Sequence, residues 1–469
     1  MKKLFLMLAG LLLLTSAAVA QSDDELFGSD DDFFGDDDFL IEEVEDVSAK
    51  TDLSKGVLFD NGSVKIGGSL SASASLTTTI YQKDNTDFAE NLKKSTLSPS
   101  LGSSITIDAR PNQDLRLFSR FNLDYPFGDD VLKVKEMFTD FNVGDYTSFR
   151  FGLHTVTWGT GLFYSPVSDM INTSSIDPEH RDEQVDGSLN LRTLVNIPGT
   201  MNNLWFYVIP DKGTLTEPGK VRDTALAVKG EFVTGGWELG AGAFYKYNTA
   251  PRAMLTASGS IKKWGLFGEA VYQYGSDREW KQKQNFNDKT SVFKATAGFM
   301  RSWSDPNIML LAQYYYDGND FDASTLADCF FYLDNMDIVM SEYGTKGHNV
   351  ALSLGFSKLF GNDDLSLSLL GLANFTKPGL IDPDDPILNA TVNYLNADGS
   401  GSGDQLRTGI NEAIGYLKTS PRGIFSLTLN YAFNKNASMG FGPYITVSDW
   451  KKAPVVAAKI NFSLGGGKY

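Results

Sequence analysis

Cysteine is nearly missing from these 469 residues, and with Cys329 alone no intramolecular disulfide can form. The fold must therefore hold by packing and backbone hydrogen bonds. Histidine is almost as scarce: His154, His180 and His348 are the only three, and they are scattered along the chain. Hydrolytic chemistry needs a serine or carboxylate working with a histidine, and no such partner stands at readable spacing. Metal motifs such as His-Glu-x-x-His, phosphate loops and paired Cys-x-x-Cys are also absent. The cluster Asp382, Asp384, Asp385 in LIDPDDPI is of a type that holds Ca²⁺ in a loop, but a solvated turn accounts for it better. The expectation is a protein that is not an enzyme and carries no cofactor.

Long apolar runs are missing as well. After residue 20 no stretch approaches the roughly 20 residues of a membrane helix, and mean hydropathy is −0.19. Met1 to Ala20 is the exception: Lys2 and Lys3, an apolar run from Leu4 to Leu14, then Ala18, Val19 and Ala20. That order reads as a secretory signal peptide over 1–20. With no cysteine near the cleavage point, a lipoprotein is not expected. The mature chain is then either soluble outside the cytoplasm or a membrane barrel, whose alternating signal hydropathy misses.

Positive charge is the third shortage. Lys and Arg number 41 against 58 Asp and Glu, a formal charge of −17, which becomes −19 when Lys2 and Lys3 are removed (−17 − 2). Such an acidic chain offers nothing to nucleic acid. Much of the excess lies in 21–55, where 13 acids fall between Asp23 and Asp46. The block self-repels and cannot bury a core, so an acidic, disordered periplasmic tail is expected there. Phe27, Phe33, Phe34 and Phe39, set among its Asp runs, could alternatively anchor it to a basic partner or a barrel mouth.

What the chain does have is glycine (45), phenylalanine (32), tyrosine (19) and alternation. In VKIGGSLSASASLTTTIYQ every even position from Val64 to Ile80 is apolar or small, and most odd positions are Lys, Ser or Thr. Period two means a strand with one oily face and one wet face. The pattern recurs at 114–125, 190–197, 237–247, 350–356, 365–375, 425–433 and 456–464. These runs approach the roughly 9 to 11 residues of a tilted membrane strand and exceed the strands usual in soluble sandwiches.

Connection lengths give an independent test. Short ones at 110–113, 144–147, 198–202, 234–236, 262–265, 304–307, 361–364 and 434–436 alternate with mostly longer ones, from 83–96 to 448–453. Membrane barrels pair short periplasmic turns with longer outer loops. The expected fold class is all-β: a transmembrane antiparallel up-and-down β-barrel over 60–469 of about 18 strands, within 16–20, since 387–394 could hide a further pair. A TonB-type receptor is excluded on length, because a plug domain and roughly 22 strands do not fit. Trp237, Trp264 and Trp303 mark the short-turn end. Tyr81, Tyr125, Tyr245, Tyr247, Tyr274 and Tyr314 to Tyr316 mark the other, as two lipid interfaces select.

With these features the chain resembles the bacterial outer-membrane porin-type β-barrel superfamily, most sharply at FRFGLHTVTWGTGLFYSPVSD (149–169), where a strand ends in Trp-Gly and enters a Pro-containing loop. The resemblance implies localisation in the cell outer membrane of a Gram-negative-type envelope, contact with its lipid, insertion by the barrel-assembly machinery, and transport of small polar solutes. A homo-oligomer stays open. One departure is the ending: porin-type barrels usually close on a strand with a terminal aromatic, whereas Gly465 to Lys468 precede Tyr469 here, so Phe462 is a second candidate for the assembly signal.

By the oily-out rule Arg116, Arg120, Arg150, Arg192 and His154 point inward as pore-lining residues, with Arg110 near a rim. In porin-type barrels the third outer loop folds into the lumen. The resemblance therefore implies a constriction in which Asp169, Asp177, Glu179, Asp182, Glu183 and Asp186 face an arginine wall. The competing reading is that the arginines only neutralise Asp108, Asp124, Glu136 and Asp140, also inward by parity. The leading function is passive passage of small hydrophilic solutes through a porin-like channel. The alternatives are a binding, assembly or adhesin barrel with a lumen closed by its long loops, and a transporter for hydrophobic compounds.

Overall fold

A computed structural model describes residues 57–60, 62–83, 87–127, 131–181, 185–211, 218–277, 280, 291–319, 323–334, 345–376, 379–397, 399, 401–419, 421–434 and 437–468. The signal-peptide and acidic-tail expectations, 1–20 and 21–55, lie outside these residues, as do Asp182 and Glu183.

Alternating side chains and turn chemistry produce one antiparallel sheet. Its strands are β1 (Val57–Asp60), β2 (Val64–Tyr81), β3 (Thr96–Asn112), β4 (Leu115–Tyr125), β5 (Lys133–Val143), β6 (Thr147–His154), β7 (Ser188–Asn196), β8 (Asn203–Ile209), β9 (Ala225–Thr234), β10 (Trp237–Tyr245), β11 (Arg252–Ile261), β12 (Trp264–Gln273), β13 (Val292–Ser304), β14 (Asn307–Asp317), β15 (Gly347–Phe356), β16 (Leu365–Asn374), β17 (Gly423–Asn434), β18 (Ala437–Val447) and β19 (Val455–Lys468). Each strand from β2 to β19 pairs with its successor, and β19 pairs back onto β2, from Val456 opposite Tyr81 to Lys468 opposite Ser69. The result is a closed 18-stranded barrel. Closure matters because an unpaired strand edge in hydrocarbon would leave N–H and C=O groups with no partner.

The seam carries the one strand that alternation did not announce. β1 pairs with β2 at Lys65, Ile66 and Gly67, just past the point where β19 ends at Ser69. Two segments from opposite ends of the chain thus share one edge of β2. β19 reaches Lys468 only by a register shift between Gly465 and Gly467, with Gly465 at φ +111°, a conformation that favours glycine. This is how the glycine run before the terminus is absorbed.

The oily-out rule holds around the cylinder. Leu97, Leu101, Ile105, Leu117, Phe151, Leu226, Leu255, Leu427, Leu429 and Phe441 are exposed on the outer face, where hydrocarbon takes the place of water. Tyr81, Tyr125, Tyr245, Tyr274 and Tyr314 are exposed near the outer rim. Trp264 and Trp303 meet edge-to-face at 6.0 Å beside the short turns, with Arg301 against both rings. Tyr315 departs from its band: it points inward, buried, and stacks on Tyr164 at 5.1 Å.

Two expectations are corrected. The stretch considered for an extra strand pair is helical. After α1 (Phe88–Lys93) and α2 (Leu326–Asp334), the long connection before β17 holds α3 (Pro386–Leu395) and α4 (Ser402–Thr419). Leu388 and Val392 are buried four apart, and Ile410, Ile414 and Leu417 follow at helical spacing, a period of 3.6 rather than two. Asp385 caps α3, accepting from Ile387 N–H at 2.8 Å and Leu388 N–H at 3.0 Å, and Pro386 sits in the first turn. Asp382 accepts from Asp384 N–H at 3.0 Å, so these carboxylates serve a turn and a cap. The helices pack with Ala323, Cys329 and Phe331 of the preceding outer loop into an apolar core of their own. The second correction is that β6 ends at His154, short of Trp158 and Gly159.

Because side chains alternate between lipid and lumen, neighbouring substitutions should differ sharply. Leu429→Arg on the outer face should lower folding stability in liposomes by about 2–4 kcal/mol. Asn430→Arg, its inward neighbour, should change stability by less than about 1 kcal/mol on the same scale. Urea titration of the refolded barrel checks both.

Candidate functional site

The connection from β6 to β7 is the third outer loop, and its described residues, 155–181 and 185–187, run inside the barrel. Its backbone is held by side chains from the inner wall. Glu269 on β12 accepts from Gly161 N–H at 2.5 Å, from Val167 N–H at 3.0 Å and from Ser165 Oγ at 3.0 Å. Gln313 on β14 accepts from Phe163 N–H at 2.7 Å and donates to the Tyr164 carbonyl at 2.7 Å. Lys229 on β9 donates to the Trp158 carbonyl at 2.8 Å. These three wall residues are 2–4 % exposed. An irregular backbone inside a barrel has no ladder to join, so such side chains must take up its polar groups.

Apolar packing completes the attachment. Val156, Trp158, Val167, Met170 and Ile171 of the loop bury against Leu194, Trp205, Tyr207, Phe244, Met254 and Val271 on β7 to β12. Phe163 packs on Phe267, Met300, Leu311, Ala351 and Leu372. Glycine is needed here: a Cβ at Gly161 would stand 2.0 Å from the Tyr164 carbonyl, and one at Gly159 1.9 Å from Ser165 Oγ.

The loop covers one side of the lumen and leaves the other open. Inward residues of β9 to β14, among them Thr256, Ser258 and Thr296, are buried. Inward residues of β2 and β3 stay half-exposed or exposed, including Ser69, Ser71, Ser73, Ser75, Ser98 and Ser100. That side is a wall of short hydroxyl side chains, hydrogen-bonded across strands at Ser69–Ser104 (3.2 Å) and Ser73–Ser100 (2.6 Å).

The sequence-derived arginines form a row on β4, β6 and β7, set by register: Arg116 lies opposite Asp140, Asp140 opposite Arg150, and Arg150 opposite Arg192. Arg116 reaches Asp108 at 3.1 Å and Asp140 at 3.8 Å, and Arg150 reaches Asp140 at 2.6 Å. Arg120 lies 3.5 Å from Glu136, and Arg110 lies 3.4 Å from Asp108. Their accessibility is graded. The Arg120 side chain is 36 % exposed, those of Arg150 and Arg116 are 12 % and 8 %, and Arg192 is buried over the Trp205 ring. His154 is fully buried at the foot of the loop, edge-on to Phe138 at 5.9 Å.

The four described loop acids are dispersed rather than gathered on one face. Glu179 accepts from the Tyr444 hydroxyl at 3.1 Å, carrying the loop tip across the lumen to β18. Asp177 lies 3.0 Å from His180 Nδ1, and Asp186 lies 2.6 Å from Lys135 Nζ. Asp169 is enclosed near Glu269, Asp317 and Lys294, and burial together with the Glu269 charge pushes its carboxyl up to about 7. Sequence reasoning missed Glu269, Gln313 and Lys229, the residues that hold the loop. Their one signal is a polar side chain at an inward position, shared by many other lumen residues.

No known family profile matches the chain, and no curated relative matches it. Among solved structures it is similar to Pseudomonas aeruginosa OccK11 (OpdR), at 9 % identity and a TM-score of 0.46, over 88 % of this chain and 97 % of that one. It is likewise similar to Pseudomonas aeruginosa OccK3 (OpdO), at 9 % identity and a TM-score of 0.46, over 85 % and 95 %. Acinetobacter baumannii OccAB4 follows at 8 % identity and a TM-score of 0.45, over 88 % and 100 %.

Asp169 gives the loop a pH dependence. Its carboxyl is raised from 3.8 to about 7, so docking favours the protonated form. The stabilisation is full below about 3.8 and is lost as pH rises through about 7. Hydrogen exchange of amides in 161–171, corrected for intrinsic rates, should therefore accelerate between pH 6 and pH 8. Asp169→Asn should flatten that dependence.

Proposed function

We propose that this chain is an outer-membrane channel for passive passage of small hydrophilic solutes. The observation that carries the reading is the asymmetric lumen: the third loop is fixed to β7–β14, while the serine-rich wall of β2 and β3 stays open beside the arginine row. A closed cylinder with an oily exterior and a polar interior fits residence in an outer membrane, with the barrel-assembly machinery as the expected route of insertion. The constriction lies between the loop and the row of Arg116, Arg120 and Arg150, with Arg192 and His154 behind it as support. Of the loop acids, Asp177, Glu179 and Asp186 border the passage, and Asp169 is enclosed against the wall near Glu269 and Lys294. Charged groups at a narrow point set ion preference, and a transverse field admits polar solutes more readily than apolar ones.

The pairing of each arginine with a carboxylate favours a neutralised wall at rest. A solute carrying an acidic group competes for those guanidinium groups, so passage and pairing are two states of the same side chains. A second reading, a binding or assembly barrel whose lumen is closed by its loops, draws on the helical cap built from α2, α3 and α4. Single-channel conductance of the refolded protein in planar bilayers separates the two. A channel conducts, whereas a closed scaffold leaves the bilayer resistance unchanged.

Replacing Arg116, Arg120 and Arg150 together with serine removes three positive charges, takes the salt-bridge partners from Asp140 and Glu136, and leaves Asp108 with Arg110 alone. Cation-over-anion permeability should then rise roughly twofold or more. An unchanged reversal potential under a salt gradient would reject the placement of these arginines at the constriction.

A further inference from the structure

The barrel wall is low over three consecutive strands, β6, β7 and β8, which have 8, 9 and 7 residues against 18 in β2. β5 pairs with β4 as far as Lys133 but with β6 only from Met137. β7 begins at Ser188, yet its pairing with β8 starts at Leu191. A notch results at the outer rim, and a cavity of about 850 Å³ fills it. That lies within the roughly 300–1,000 Å³ of small-molecule sites.

The cavity touches both faces of the wall. Phe244, Ala225 and Ser188 line it from buried inward positions. Leu153 and Leu189 line it from the outer face, in one cross-strand row with Met137, which is 47 % exposed to the hydrocarbon side. Met170 and Ile171 of the third loop form its inner end. The space therefore connects the outer vestibule with the lipid through a gap in the strand pairing.

Its charges are unevenly matched. Lys135 pairs with Asp186 at 2.6 Å and Arg252 with Asp277 at 2.6 Å. Asp223 pairs with Arg222 at 3.4 Å, and Asp211 accepts from the Lys220 N–H at 3.1 Å. Every lining carboxylate is thus engaged. Among the described residues, Lys133 and Lys246 have no carboxylate within 4.0 Å.

We infer that this notch is a lateral portal that binds a single-chain, long-tailed carboxylate, with its head at a lysine of the rim, Lys133 or Lys246, and its tail running past Leu153 and Leu189 into the hydrocarbon. The apolar lining and the outward opening suit a tail, and the two ammonium groups suit an anion. The long apolar tail sets this ligand apart from the small hydrophilic solutes of the axial passage, and the inference stands independently of conduction along the axis.

The test uses the full chain in lipid nanodiscs and radiolabelled dodecanoate, with protein-free nanodiscs as the blank. Saturable binding above the blank is expected, with hexanoate competing at least tenfold less well than unlabelled dodecanoate. Lys133→Glu/Lys246→Glu should weaken dodecanoate binding at least tenfold; if that pair misfolds by heat-shifted gel mobility, Lys133→Gln/Lys246→Gln replaces it and should weaken binding at least threefold. Binding no greater than the blank overturns the portal, as does equal competition by hexanoate or unchanged affinity in the folded double variant. Conductance is measured separately: a conducting protein that binds no dodecanoate refutes the portal alone, and a non-conducting one that binds it refutes the channel alone.

Discussion

Backbone hydrogen bonding is the constraint on which everything else in this molecule rests. In hydrocarbon no water can satisfy a free N–H or C=O, so every spanning strand must be paired on both edges. The seam between β19 and β2 meets that demand for the whole cylinder, and β1 prolongs it where β19 stops. Once the sheet is closed, parity alone decides which side chains meet lipid and which meet the lumen. A shift of one residue in a strand would exchange the two sets.

Closure also creates an interior large enough to need filling. That task falls in part to the third loop, whose polar backbone is taken up by Glu269, Gln313 and Lys229 and whose Trp158, Val167 and Phe163 bury against apolar patches of the wall. A buried carboxylate with three donors is held far more firmly than a bare one, since losing a partner leaves an uncompensated charge. The same logic governs the arginine row, in which Asp108 and Asp140 are each shared between two guanidinium groups. Sharing keeps the row compact while leaving Arg120 the most accessible of its members.

Much of the architecture was legible in the chain. The alternation from Val64 to Ile80 became β2, and the rhythm of short and long connections became the two ends of the barrel, because both reflect local rules that hold wherever a strand spans lipid. Reading failed where a different period took over. At 387–394 the apolar residues suit a strand as readily as a helix over a short window, and only Asp385 with Pro386 hinted at a helix start. β6 stopped before Trp158 because the chain there is drawn inward by contacts with β8 and β9, which lie far away in sequence.

The sequence by itself determined the cylinder, its approximate strand number, and the inward placement of Arg116, Arg120, Arg150 and Arg192. All of these follow from period two and from the medium on either side of the wall. Only the tertiary structure decided which part of the lumen stays open, which carboxylates the arginines meet, and where the loop acids go. Those depend on pairs such as Glu269 with Val167, 102 positions apart, and Tyr444 with Glu179, 265 positions apart. Contacts of that span leave no local pattern, because the barrel must close before the residues become neighbours.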